Sequence, residues 1–236
     1  MGSFNEVPVT RPMGAIAPAW HTVVVVAVLL GFSLLGALGQ NLPGMSATRR
    51  IAGYLVIIVL EWGLVAFIGW STRRRGIRLA DLAGDRWTKA SDPFRDLGIA
   101  IGFLVISEVV LGTLGHLLKA VQTPALRNLF PHGAVQTVLY LFVALTAGFC
   151  EELIFRGYLQ RQFAALTGAA MGGVVLQGIV FGAAHGYQGW KFMLIIAVFG
   201  IMFGLLAQWR KSLRPGMIAH FLQDGVLGLL AQHFTK

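Results

Sequence analysis

Residues 135–150 contain no charged side chain, and the carboxylates of Glu151 and Glu152 follow them directly. An apolar run of this kind predicts a membrane-spanning helix, because a helix satisfies its own backbone hydrogen bonds where water is absent. A charged side chain at bilayer depth costs about 2.5–3.5 kcal/mol on insertion scales. Carboxylates at the end of this run therefore indicate a polar site within a helical membrane protein.

The composition also favours a membrane protein over a soluble one. Hydrophobic residues make up 56% of the chain and charged residues 12%, whereas a soluble domain typically has about 25% charged residues. The length of 236 residues suits a helical bundle, since each span needs about 20 residues. We predict an all-α fold, a polytopic transmembrane helical bundle with about seven spans, within a range of roughly six to eight.

Apolar runs and the polar stretches between them divide the chain into four parts. We expect a flexible or interfacial N-terminal segment in residues 1–19, three spans with their loops in 20–133, four spans in 134–230 and a tail in 231–236. The expected spans are residues 20–39, 51–70, 97–118, 134–165, 169–185, 192–207 and 215–230.

The net charge of +9 raises the question of nucleic acid or anionic lipid as a partner. The basic residues lie mostly in short loops between apolar runs, with seven of them in residues 73–95. An excess of Lys and Arg in loops marks the cytoplasmic side of a membrane protein, and the sequence has no basic patch interleaved with aromatic residues. We therefore predict an integral, multi-pass membrane protein with its N-terminus inside, no nucleic-acid partner and, in a bacterium, a location in the plasma (inner) membrane.

Three pairs of residues spaced four apart lie in the last four expected spans. Residues four apart share a helix face, whereas adjacent residues diverge by about 100°. Glu152 can therefore pair with Arg156, while Glu151 faces elsewhere and is available as a base. Three polar clusters so close together favour a functional site over isolated structural hydrogen bonds. The other two pairs are Phe181 with His185 and His220 with Asp224.

A turn predicted at Gly168 places two of these residues at the same depth. Seventeen residues separate Gly168 from Glu151 on one side and from His185 on the other. In an antiparallel hairpin with equal rise per residue, the two side chains lie at one level. His220 reaches that level only if residues 186–190 dip inward or the sixth span is short or tilted, and the sequence leaves this open.

A glutamate, two histidines and a second carboxylate are compatible with two kinds of chemistry. Glu151 can take a proton from a water molecule that His185 holds, and His220 can donate a hydrogen bond to the developing oxyanion. The same groups can instead bind zinc, although the sequence lacks the H-E-x-x-H spacing of common zinc peptidases. The lone cysteine, Cys150, excludes an internal disulfide and is expected to be an apolar filler. A water-activating carboxylate is the chemistry that we favour.

Two further glutamates lie inside predicted spans, Glu61 in the second and Glu108 in the third. We expect both to pair within the bundle or with interfacial water. Neither is assigned a catalytic role.

The three clusters, in this order, resemble the motifs of the CAAX-protease and bacteriocin-processing family (Abi-type) of intramembrane glutamic endopeptidases. They read E-E-x-x-x-R from Glu151, F-x-x-x-H from Phe181 and H-x-x-x-D from His220, and the resemblance covers about residues 135–230. It implies a membrane-embedded endopeptidase that hydrolyses a peptide bond near the membrane with water activated by a glutamate. The implied partners are a membrane-associated protein or peptide substrate and the lipid bilayer.

The resemblance also implies a role for each matching residue. Glu151 would be the general base, and His185 would position the water. His220 and Asp224 would occupy the oxyanion-stabilising positions, but an ionised aspartate cannot donate a hydrogen bond. Either burial keeps Asp224 protonated, or it mainly orients His220. The residues expected to support the site are Glu152, Arg156 and Phe181.

The glutamate mechanism implied by the resemblance requires no cofactor and no metal, and a zinc-dependent version of the same peptidase is its alternative. A non-catalytic immunity or scaffold membrane protein is a second class of function. It predicts the decay of at least one cluster, yet all three are intact. A transporter that relays protons through intramembrane Glu and His is a third. It predicts repeated halves, and the sequence shows no such repeat.

Overall fold

The computed structural model describes residues 14–39, 46–121 and 123–230, and these residues form helices joined by loops, with no β-strand among them. The expected all-α bundle is therefore confirmed. The tail at 231–236 and most of the expected N-terminal segment lie outside the described residues.

Ten α-helices follow one another along the described part of the chain. Two of them run on into π-helical turns without a break, after α6 and after α10. In order they are α1 (Ala19–Gly39), α2 (Ala47–Arg73), α3 (Leu79–Ala83), α4 (Asp92–Leu117), α5 (Pro124–Leu129), α6 (Ala134–Glu151) with the π-helix Glu152–Leu159, α7 (Gln160–Thr167), α8 (Ala170–Ala184), α9 (Trp190–Arg210) and α10 (Arg214–Phe221) with the π-helix Leu222–Leu227.

Five helices in the described residues are long and apolar enough to cross a membrane, as expected of an integral membrane protein. They are Ala19–Gly39, Ala47–Arg73, Asp92–Leu117, Ala134–Thr167 and Trp190–Arg210. The apolar helix Ala170–Ala184 is shorter than a full span. Helix α10 and its π-helical continuation occupy the seventh expected position. The seven helical segments thus match the expected spans in place, and the number that crosses the membrane stays a prediction.

The bundle presents apolar side chains outward, as a bilayer requires. Val59 on α2 is 72% exposed and Val105 on α4 is 62% exposed. The charged residues Glu152 and Arg156 instead lie inside and are almost fully buried. Because lipid cannot solvate charges, this distribution concentrates the chemistry of the molecule in its interior.

The break between α7 and α8 falls at the predicted turn. Gly168 has a φ of 69°, in the left-handed region that glycine adopts without steric cost. The chain reverses there, and α8 packs back along α7. This hairpin brings the end of α8, with His185, back toward the end of α6.

Close backbone contacts set the relative positions of the helices around the site. A Cβ atom on Gly148 of α6 would lie 2.9 Å from both the carbonyl oxygen of Met217 and the backbone nitrogen of Phe221. A Cβ atom on Gly182 of α8 would collide with the carbonyl oxygen of Met193 on α9. Small residues of this kind let membrane helices approach closely. Helices α6, α8, α9 and α10 therefore meet tightly at one level of the bundle.

Candidate active site

A cavity of about 750 Å³ lies at this level of the bundle, and helices from both halves of the chain line it. Most of its wall consists of leucine, isoleucine, valine, phenylalanine and alanine side chains, with a small polar region. Apolar pockets with a few convergent polar groups are the usual form of binding and active sites. The four residues predicted to be catalytic all line it: Glu151, His185, His220 and Asp224.

Both π-helical segments lie at this cavity. The first begins directly after Glu151, and the backbone N–H at its end, that of Gln160, donates to the carbonyl oxygen of Phe155. The second contains Asp224. Isolated π-turns are rare and occur frequently at functional sites, because the wider turn changes the direction of the following side chains. The two motifs that carry carboxylates thus lie on locally altered helix geometry.

Glu152 lies at the centre of a buried charge cluster behind the cavity. Its Oε1 atom is 3.0 Å from Nη1 of Arg156 and 3.1 Å from Nδ1 of His220. The first contact is an ion pair of poor hydrogen-bond angle, since Nη1 has no hydrogen-bond partner among the described residues. Glu152 is fully buried and His220 is 3% exposed. The carboxylate therefore balances the arginine and fixes the orientation of the imidazole ring.

The guanidinium of Arg156 is enclosed by aromatic rings. Its central carbon lies 4.4 Å from the ring centre of Phe181 and 4.8 Å from that of Phe203. Its Nη2 atom donates a hydrogen bond to the carbonyl oxygen of Gly200 at 3.3 Å. Cation–π contacts of this kind stabilise a desolvated cation. Phe181 also packs against the His185 ring at 4.8 Å between ring centres, so this phenylalanine links the charge cluster to the cavity.

Glu151 diverges from Glu152, as the helical spacing predicts. Its side chain is 16% exposed, and its Oε2 atom lies 3.7 Å from Nε2 of His220. That oxygen is buried and has no hydrogen-bond partner among the described residues. A carboxylate with an unused acceptor at the wall of a cavity is suited to receive a proton.

The position of His185 fixes which of its ring nitrogens carries the proton. This residue follows α8 directly, and its Nδ1 atom lies 2.8 Å from the carbonyl oxygen of Phe181. Because a carbonyl oxygen only accepts, Nδ1 is the donor in this contact, and in the neutral ring Nε2 is the acceptor. His185 thus brings a hydrogen-bond acceptor to the cavity.

The loop after His185 settles a question that the sequence leaves open. Residues 186–188 form a single 3₁₀ turn that packs against α1. Gln188 is 8% exposed, and both Tyr187 and Gln188 line the cavity. The loop dips inward, and His185 and His220 consequently reach the same cavity.

Asp224 lies at a more open part of the cavity wall. Its Oδ2 atom is 3.5 Å from Nε2 of His220, and its side chain is 43% exposed. Its carboxyl group thus faces the Nε2 edge of the His220 ring. Of the two roles expected for Asp224, its geometry therefore supports the orientation of His220.

The structure adds to the site a residue that the sequence analysis gave no catalytic role. Glu61 of α2 is 7% exposed, lines the cavity, and its carboxyl group lies within hydrogen-bonding range of that of Glu151. Glu61 is expected from the sequence to pair within the bundle or with interfacial water, and its neighbour in the bundle is the carboxyl group predicted to be the base. The feature of the sequence that indicates a functional role for Glu61 is a lone carboxylate within an apolar run. Glu108 of α4 also lines the cavity.

The described residues contain no group of three or more His, Cys, Asp or Glu side chains arranged to hold a metal ion. The closest candidates among these residues are His220 with Glu151, Glu152 and Asp224, but the three carboxylates all contact the one imidazole ring. Metal ligands instead point their donor atoms at a common centre about 2.0–2.2 Å away. This arrangement does not fit zinc.

Comparison with known proteins supports the resemblance carried by the motifs. Residues 133–226 match the family described as type II CAAX prenyl endopeptidase Rce1-like. The chain is 34% identical over 88 residues to the uncharacterized protein YpbD of Bacillus subtilis (strain 168), a match that covers 36% of this chain and 42% of that protein. The chain thus matches less than half the length of this relative. No solved structure matches significantly.

The matched segment contains all three motifs and ends just after Asp224. It begins one residue before α6 and includes both π-helices almost completely. The helices that form most of the polar part of the cavity are therefore the part shared with the family. The similarity to the Rce1-like family of type II CAAX prenyl endopeptidases therefore lies in residues 133–226, less than half of the chain.

Proposed function

We propose that this chain is a membrane-embedded endopeptidase in which Glu151 activates the water molecule that attacks the peptide bond. The observation that carries the proposal is the convergence of a free carboxylate oxygen of Glu151 and the rings of His185 and His220 on one cavity. The family match supports a membrane protease in general terms. The arrangement of these side chains supports the specific mechanism.

In the first step, water lies between Glu151 and His185. Nε2 of His185 accepts a hydrogen bond from this water, and Glu151 takes a proton from it as its oxygen bonds to the substrate carbonyl carbon. General-base catalysis of this kind typically contributes about 10²–10⁴-fold to the rate. His185 positions the water, and Glu151 carries the transferred proton.

His220 stabilises the tetrahedral intermediate. Carboxylates lie near both of its ring nitrogens, with Glu152 at Nδ1 and Glu151 and Asp224 at Nε2. Anions on both sides favour the imidazolium form, in which both nitrogens donate hydrogen bonds. Nε2–H then points into the cavity and donates to the oxyanion, while Asp224 holds the ring and its charge in place.

The intermediate collapses when the proton on Glu151 moves to the leaving nitrogen. The carbon–nitrogen bond breaks, an amine leaves, and the acyl fragment becomes a carboxylic acid. Glu151 is ionised again, and the next water molecule enters. No step requires a cofactor, and none passes through zinc.

The substrate is a membrane-associated protein or peptide. The apolar wall of the cavity accepts a hydrophobic segment, and its position within the bundle suits a bond that lies at or near the bilayer. In a bacterium, the enzyme works in the plasma (inner) membrane. The N-terminal half of the chain supplies α1, α2 and α4 to the same cavity and so takes part in holding the substrate.

A reconstituted assay tests this function. Purified chain in liposomes is mixed with a reporter peptide anchored in the same membrane, and its fragments are identified by mass spectrometry. We expect the rate of cleavage to be the same with and without a strong chelator. Loss of cleavage with chelator and its return with added Zn²⁺ would show a metalloenzyme instead. No cleavage by the wild type under any condition would favour a scaffold or transporter.

A further inference from the structure

Glu61 is the buried carboxylate that the mechanism above does not use. It projects from α2, outside the segment that matches the protease family, and meets Glu151 across the cavity. One of its oxygens, Oε2, is buried and has no hydrogen-bond partner among the described residues. A second acid in contact with a catalytic base alters the charge and orientation of that base.

The surroundings of Glu61 contain acids and histidines. The groups that interact with it electrostatically are Glu151 on α6, His220 on α10 and Asp224 on the second π-helix. Lys and Arg are absent from the described residues that line the cavity. Two further titratable groups interact with Glu61, those of Cys150 and Tyr187. The other titratable residues on the cavity wall are Tyr54, Glu108, Tyr140 and His185.

Two carboxyl groups in contact and away from bulk water do not both ionise, because like charges at this distance repel strongly. The pair instead holds one proton between them, as coupled carboxylates generally do. No Lys or Arg in the described part of the chain lines the cavity, and Glu152 and Asp224 already balance the charge of the His220 ring, so the singly protonated pair is the stable form. One carboxyl then donates a hydrogen bond and the other accepts it.

We propose that Glu61 is a positioning residue for Glu151, which keeps one proton in the pair and donates it as a hydrogen bond to the Glu151 carboxylate. The second oxygen of Glu151 then remains free to take the proton from water. Through the reaction the Glu61 proton stays in place, and the water proton passes by way of Glu151 to the leaving amine. This inference rests on the proposed peptidase function.

Two substitutions at position 61 separate this role from simple packing. Glu61→Leu removes the donor, and we expect kcat to fall about 10–100-fold with KM nearly unchanged, toward the lower end of general-base effects. Glu61→Gln retains an N–H donor, and we expect kcat at neutral pH within about threefold of wild type. The amide cannot ionise, so the alkaline limb of the pH–rate profile moves to higher pH in this variant.

The matched control is Val65→Ala, which changes a buried side chain one turn further along α2 that does not line the cavity. It is expected to lower thermal stability without moving the alkaline limb. A kcat for Glu61→Leu within about twofold of wild type, or an alkaline limb that is the same in wild type and Glu61→Gln, overturns the proposal.

Infrared spectroscopy tests the shared proton without any assay of cleavage. At neutral pH, the wild-type protein should show the carbonyl stretch of a protonated carboxyl group that is missing in Glu61→Gln and retained in Val65→Ala. Identical spectra for wild type and Glu61→Gln would contradict the proposal even if the reporter is cleaved. If the band is present but the reporter is not cleaved, Glu61 is protonated as proposed, and only the peptidase function is refuted.

Discussion

Glu151→Gln is expected to lower the rate of reporter cleavage about 10²–10⁴-fold, the usual contribution of a general base. Glutamine has the shape of glutamate and can form hydrogen bonds, but it does not accept a proton from water at neutral pH. The side chain makes no short ion pair, since its nearest charged partner, Nε2 of His220, is 3.7 Å away. We therefore expect the variant to be folded, with a thermal stability close to that of wild type.

The control for this variant is Asp85→Asn, which neutralises an exposed carboxylate in the loop before α4. It makes the same chemical change outside the cavity and should leave cleavage unaltered. Rates are compared in the same liposomes at equal amounts of inserted protein. Cleavage by Glu151→Gln at the wild-type rate would show that another group activates the water.

Glu152→Ala is expected to have the largest effect on folding. It leaves the buried guanidinium of Arg156 without its carboxylate, and removal of one partner of a buried ion pair costs about 3–5 kcal/mol. It also removes the hydrogen-bond acceptor for Nδ1 of His220. We expect a lower yield of folded protein, a lower melting temperature in detergent and loss of cleavage.

A double variant separates the two consequences. Glu152→Ala combined with Arg156→Met removes both charges and fills the space with an apolar side chain, an exchange that is often neutral for stability. Thermal stability should recover, whereas cleavage should not, because His220 is still unsupported. The control is Arg95→Ala. The Arg95 side chain pairs with Asp92 and Asp96 but is 51% exposed. Because exposed ion pairs contribute about 0–1 kcal/mol to stability, this variant should lose little thermal stability. A melting temperature for Glu152→Ala equal to that of wild type would refute the role of this ion pair.

Much of the architecture follows from sequence because lipid imposes strict rules on the chain. Apolar runs of sufficient length must be helices, and the turn at Gly168 is marked by a residue that adopts positive φ freely. The pairing of Glu152 with Arg156 follows from helical spacing alone. The equal separation of Glu151 and His185 from Gly168 predicts that they lie at one depth.

Other parts of the site depend on contacts that leave little trace in one sequence. The approach of Glu61 to Glu151 depends on how α2 rotates and packs against α6, and hydropathy does not specify that rotation. The π-helices add one residue to a turn without a characteristic composition. The inward course of residues 186–188 is set by packing on α1, a helix more than a hundred residues earlier in the chain.

Mass spectrometry of a single turnover in H₂¹⁸O tests most directly whether water activated by Glu151 attacks the substrate. Wild-type protein and the membrane-anchored reporter are mixed in liposomes, and both fragments and the intact protein are weighed at successive times. We predict one ¹⁸O atom in the new carboxyl group of the reporter, while the mass of the protein stays unchanged throughout. A covalent acyl adduct on the protein, on Cys150 or any other residue, or a complete absence of cleavage, would contradict this mechanism.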